Sequence, residues 1–155
     1  VIDQSDRVQM QLEGDVLTFS ASAHGGETLS LADSVSGIRH ALGQRYLTAI
    51  KLESAIARVE DLIMPMIRSL PAAAQLEIHG AELENIHHLL ATEKDVAVAI
   101  DLVELLFNQL ADYANRVPAA WHQPVPAEQL ALGLVVLREV MHHGGYSVVY
   151  LPRQA

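Results

Sequence analysis

Residues 7–22 read RVQMQLEGDVLTFSAS. Val8, Met10 and Leu12 alternate with Arg7, Gln9 and Gln11, then Glu13-Gly14-Asp15 interrupts, and Val16 to Ser22 resumes a run of Val, Leu, Thr and Phe. Period-two alternation on both sides of a Gly-containing turn predicts an antiparallel hairpin with one apolar face. That face needs cover, and the sequence beyond it is rich in helical patterns that can supply it.

Working outward, His24-Gly25-Gly26 reads as a loop and Thr28 to Leu31 as a short third strand, while Asp33 or Ser34 can cap a short helix running through Leu42. From Gln44 to Leu70, the residues Leu52, Ile56, Val59, Ile63, Met66 and Leu70 recur at steps of four and three. This is one face of a helix about 40 Å long at ~1.5 Å per residue, ended by Pro71. Between Ala72 and Ala91 the signals compete: Leu76 and Ile78 alternate like a strand, whereas Leu76, Leu83, Ile86 and Leu90 keep helical spacing, and the spacing predicts helix from Ala81. Thr92-Glu93-Lys94-Asp95 has the composition of a helix start, which predicts a helix over 95–115. Pro118, Pro124 and Pro126 punctuate a loop carrying Trp121 and His122, a helix follows over 127–143 with Gly144-Gly145 as its stop, and Tyr146 to Leu151 reads as a strand.

These elements predict one α+β domain over residues 1–155. Its small antiparallel sheet, made of the N-terminal hairpin plus the C-terminal strand, packs on three or four helices. A formal charge of −9, with the basic residues scattered, repels phosphate backbones and anionic lipid, so neither nucleic acid nor a membrane surface is expected as a partner. The absence of cysteine removes disulfides, thiolate nucleophiles and Cys-ligated metal, and fits a cytoplasmic setting.

Two Glu-x-x-His spacings, Glu84/His87 and Glu139/His142, together with Glu53 and Glu104 on the other main helices, resemble the ligand pattern of ferritin-like di-iron and di-manganese bundles. The helical faces argue against it. Glu104 falls in a stripe with Asp101, Asn108 and Asp112, Glu139 shares its face with Glu128 and Arg138, and Glu84 and Glu53 also fall among polar neighbours, which places all four carboxylates toward solvent. His87 and His88 read as surface residues, and His142 and His143 as favourable partners of a helix C-terminus. The His-Gly-Gly triplets at 24–26 and 143–145 resemble esterase oxyanion loops, but no Gly-x-Ser-x-Gly elbow accompanies them, and phosphate-cradling and Ca²⁺-loop motifs are absent as well.

The expectation from sequence is therefore a non-enzymatic accessory or protein-interaction domain. It has no catalytic residue, metal or cofactor assigned, and the di-metal carboxylate–histidine protein stands as the alternative. The helices over 95–115 and 127–143 carry more apolar residues than one core stripe needs, which predicts a homo-oligomer, at least a homodimer, and a protein partner.

Overall fold

The alternation in residues 7–22 is realised as two paired strands, β1 (Arg7–Glu13) and β2 (Val16–Ser22), in a computed structural model that describes residues 7–22, 28–91 and 93–153. Val8, Met10 and Leu12 are buried opposite Ala21, Phe19 and Leu17, while Gln9, Gln11 and Glu13 face outward. After β2 come β3 (Thr28–Ser34), α1 (Ser36–Leu42), α2 (Ala49–Arg68), β4 (Gln75–His79) and α3 (Ala81–Leu90). The chain then forms β5 (Val98–Ala99), α4 (Ile100–Ala114), a 3₁₀ turn at Pro118–Ala120, α5 (Ala127–Gly144) and β6 (Val148–Tyr150).

The fold is α+β; the described residues form a six-stranded mixed sheet in the order β3-β2-β1-β4-β6-β5 and five α-helices. This enlarges the small antiparallel sheet expected from sequence. β3, β2 and β1 are antiparallel, β1, β4 and β6 are mutually parallel, and β5 closes the far edge antiparallel to β6. The C-terminal strand was expected against the hairpin; instead β4 lies between them, pairing Val8 with Leu76 on one side and Leu76 with Val149 on the other. Leu76 and Ile78 obey the strand period because both continue the apolar stripe of Val8 and Met10 across the sheet.

The helices cover that apolar stripe. α3 packs on β1 and β4, and α5 runs among α1, α2, α3 and α4. Every residue of α5 from Leu130 to Leu137 is buried, because the helix is surrounded rather than laid on a surface. Gly133 allows the close approach of α3, since a Cβ there would stand 3.0 Å from Ile86 Cδ1. The apolar excess of α5 is thus satisfied within the chain, which removes one of the two grounds for expecting a homodimer. On α4, Leu102 and Leu105 do remain exposed.

Two helix boundaries also differ from the expectation. α2 starts at Ala49, where the Thr48 side chain accepts from Lys51 N at 3.2 Å, and it ends at Arg68 with Pro65 in its last turn. The helix expected from Asp95 starts only at Ile100. Asp95 has a left-handed φ of 67° and its N–H donates to Leu151 O at 2.8 Å, which ties this segment to the end of β6.

Candidate functional site

In an open sheet with parallel strands, ligands are held in crevices beyond the carboxyl ends of those strands. At the end of β1 the chain turns through Gly14-Asp15, and at the end of β4 it passes through Gly80 into α3. Gly80 has a φ of 105°, and a Cβ at this position would run into the Leu12 carbonyl, so the β4–α3 turn sits directly against β1. Val35 N donates to Asp15 O at 2.8 Å, fixing the start of α1 to the same turn.

This arrangement delivers Arg39 of α1 to the junction. Its Nε donates to Asp15 Oδ1 at 2.6 Å, and its Nη2 donates to Gly14 O at 2.9 Å and to Glu82 Oε1 at 3.2 Å. Partial burial would lower the Arg39 pKa, but the bonds to Asp15 and Glu82 outweigh it and hold the guanidinium above its ordinary value. Nη1 has no hydrogen-bond partner among the described residues, and Glu82 Oε2 is buried without one. Beside them opens a crevice of about 420 Å³, bordered by Arg39, Gln44, Glu82, Asn85, Glu128 and Gln129. Glu128, in the first turn of α5, accepts from Tyr113 Oη at 2.6 Å and from Leu47 N at 3.4 Å. Burial raises its pKa, but these bonds more than compensate and bring it below the ordinary carboxylate value.

A second hollow, about 470 Å³, lies on the open face of the sheet among Arg7, Gln9, Ser20 and Glu77. The one cation that borders it among the described residues is already committed: Arg7 Nη1 lies 3.6 Å from Glu77 Oε1, Arg7 Nε donates to Gln75 Oε1, and the guanidinium stacks on Tyr150. The crevice between α1, α3 and α5 retains an unused donor at Arg39 Nη1 and an unused acceptor at Glu82 Oε2, so it is the better ligand site.

The residues of the di-metal pattern are not gathered into one centre. Glu53 is exposed on α2, Glu84 is half-buried on α3 and His142 is exposed. His87, expected at the surface, is 1% exposed and its Nε2 lies 3.1 Å from Val96 O. Glu139, also expected toward solvent, is 1% exposed and bound by Arg138 and His143, while Glu104 holds Arg138 from α4. Polar stripes read along single helices could not register that α5 has neighbours on all sides. His24-Gly25-Gly26 lies outside the described residues, and the second triplet forms the end of α5, with Gly145 in the left-handed cap position. Arg39, Asp15 and Glu82 were missed because only the pairing of β1 with β4 brings them together. The one local signal was a glycine between an alternating pair and a helix start, at Gly80.

No family model and no curated protein sequence matches the chain. Solved structures do. The chain aligns over 96% of its length with the PPX-GPPA enzyme of Aquifex aeolicus at a TM-score of 0.71 and 8% identity, covering 54% of that chain. It aligns over 97% with an exopolyphosphatase-like protein (TM-score 0.70, 12% identity, 55% of that chain) and over 97% with an exopolyphosphatase from Cytophaga hutchinsonii (TM-score 0.67, 12% identity, 54% of that chain). These comparisons correct the expectation of a non-enzymatic accessory domain, and they give the ferritin-like alternative no support, because the matching structures are those of phosphatase-type enzymes. The chain spans about half the length of the solved structures it matches, and at these identities what it shares with them is the fold.

Proposed function

We propose that the chain is one half of a Ppx/GppA-like phosphatase and holds a phosphoanhydride substrate, such as inorganic polyphosphate, in the crevice that Arg39 of α1, Glu82 of α3 and Glu128 of α5 border. The observation that carries this reading is the match of nearly the whole chain to exopolyphosphatase-type structures at TM-scores near 0.7. The crevice chemistry supports it. Arg39 is engaged through its Nε and Nη2, which leaves the two Nη1 hydrogens as a donor pair for phosphoryl oxygens. Asn85 and Gln129 add amide donors at the rim. Phosphoryl transfer also draws on a divalent cation to neutralise charge on the transferring group. Glu82 Oε2, buried and unpartnered among the described residues, is the atom of this crevice suited to such an ion. A cytoplasmic setting belongs to the same proposal and rests on the absence of cysteine, which leaves folding independent of an oxidising compartment. No helix among the described residues is long and apolar enough to cross a membrane.

The test is calorimetric titration with inorganic polyphosphate in Mg²⁺, alongside measurement of orthophosphate release. Binding that weakens at least tenfold in Arg39→Gln, and that loses its Mg²⁺ dependence in Glu82→Gln, is the expected result. Absence of binding by the folded chain at millimolar polyphosphate, or equal binding by both variants, overturns the reading.

A further inference from the structure

The geometry points to a divalent cation site, of the kind that takes Zn²⁺, formed by Glu60 of α2 with Glu139 and His143 of α5. One ligand atom from each of the three residues falls within 4.8 Å of the other two. His143 Nε2 lies 3.0 Å from Glu139 Oε2 and 3.5 Å from Glu60 Oε1. Around a tetrahedral ion with bonds of ~2.1 Å, ligand atoms sit about 3.4 Å apart, so the two measured separations bracket the required edge. Glu139 and His143 are four residues apart on one helix, which puts both on the same face, and Glu60 supplies the third ligand from the facing helix.

The surroundings prepare Glu139 for this role. Its carboxylate is 1% exposed, and Arg138 Nη1 takes Oε1 at 2.7 Å, orienting the group so that Oε2 turns to His143. Arg138 is itself held by Glu104 Oε2 at 3.1 Å and packed over the Phe107 ring, so the carboxylate is positioned by a fixed partner rather than by solvent. The charges balance as well. Glu60, Glu104 and Glu139 set three negative charges against Arg138, and a dication bound with neutral imidazole brings the group to zero. The ion takes the place of the hydrogen bond between His143 Nε2 and Glu139 Oε2. Glu60 and His143 are partly exposed, which leaves an entry path and room for water at the fourth position.

This site differs from the di-metal pattern in every residue but Glu139, and it is independent of the phosphatase reading. The test is titration of chelator-treated chain with Zn²⁺ alone, followed by calorimetry and thermal melting. One equivalent should bind with a dissociation constant below about 10 µM and raise Tm by roughly 5–10 °C at a hundredfold excess over that constant. His143→Ala should abolish this equivalent and Glu60→Gln weaken it at least tenfold, both without loss of helical signal. His142→Ala and His88→Ala, at exposed imidazoles, should leave it intact. Absence of binding at 100 µM Zn²⁺, or an equivalent that survives His143→Ala, overturns the proposal.

Discussion

A proton added to the His87 ring has no favourable place to go. The ring is buried, its Nε2 is engaged by Val96 O, and its Nδ1 has no partner among the described residues. Burial lowers the His87 pKa below the ordinary 6.5, the bond to Val96 opposes this in part, and the neighbouring His88 adds to the lowering. Above the unfolded pKa both states hold the ring neutral and nothing is lost; as pH falls below about 6.5 the unfolded chain takes up the proton first, and stability declines. Melting between pH 7.5 and 5 should show a fall in Tm below pH 6.5 that is shallower in His87→Asn. An equal slope in the two proteins would show that His87 does not contribute. Gly80 makes a second prediction at this scale. Gly80→Ala places a methyl group against the Leu12 carbonyl in a strained backbone region and should cost more than about 2 kcal/mol in urea melts.

Among the elements, α5 and β6 carry the most. Gly133→Val would force α3 away from α5 at Ile86 and should cost about 1–3 kcal/mol in a urea titration, with the loss recovered in part by Ile86→Ala. Ending the chain at Gly145 would remove buried Tyr146, Val149 and Leu151 and strip β4 of its outer partner. At roughly 1.5–3 kcal/mol for each large apolar side chain, the loss is comparable with the whole stability of a domain, so this chain should show no cooperative melt. The hairpin and α5 were legible in sequence because each is bounded by its own punctuation, Gly14-Asp15 in one case and Pro126 with Gly145 in the other. β4 was not, since five residues are too few to separate a period of 2 from 3.6 and its central Glu77 is only 8% exposed. The segment before α4 misled because Glu93 and Asp95 look like helix-start residues, whereas Asp95 in fact accepts from Tyr150 Oη at 2.6 Å and Arg153 N at 2.9 Å. The Glu139–His143 pairing was present four residues apart, beside the three-residue spacing to His142 that drew attention. Choosing between them requires knowing which helix faces α5.

For the molecule as a whole, the net charge of −9 opposes any polyanion at long range. On the proposed function, polyphosphate affinity should therefore depend on Mg²⁺ far more than on Na⁺, and a titration in chelator should show at least tenfold weaker binding than one in Mg²⁺. Equal affinities would place the ligand away from the crevice carboxylates. The parallel pairings of the sheet have another consequence, in time. Val8 meets Leu76 across 68 residues, and Gln75 meets Val148 across 73. Contacts this distant are reached only after long loops close, so refolding should take milliseconds to seconds rather than the microseconds of a helical bundle. During synthesis the hairpin precedes the strand it pairs with, so its β1 edge stays unpaired until residue 79 is made. β4 then waits in turn until residue 150. The sheet cannot close before residue 150 is made, and until then these edges depend on their surroundings to keep them from pairing elsewhere.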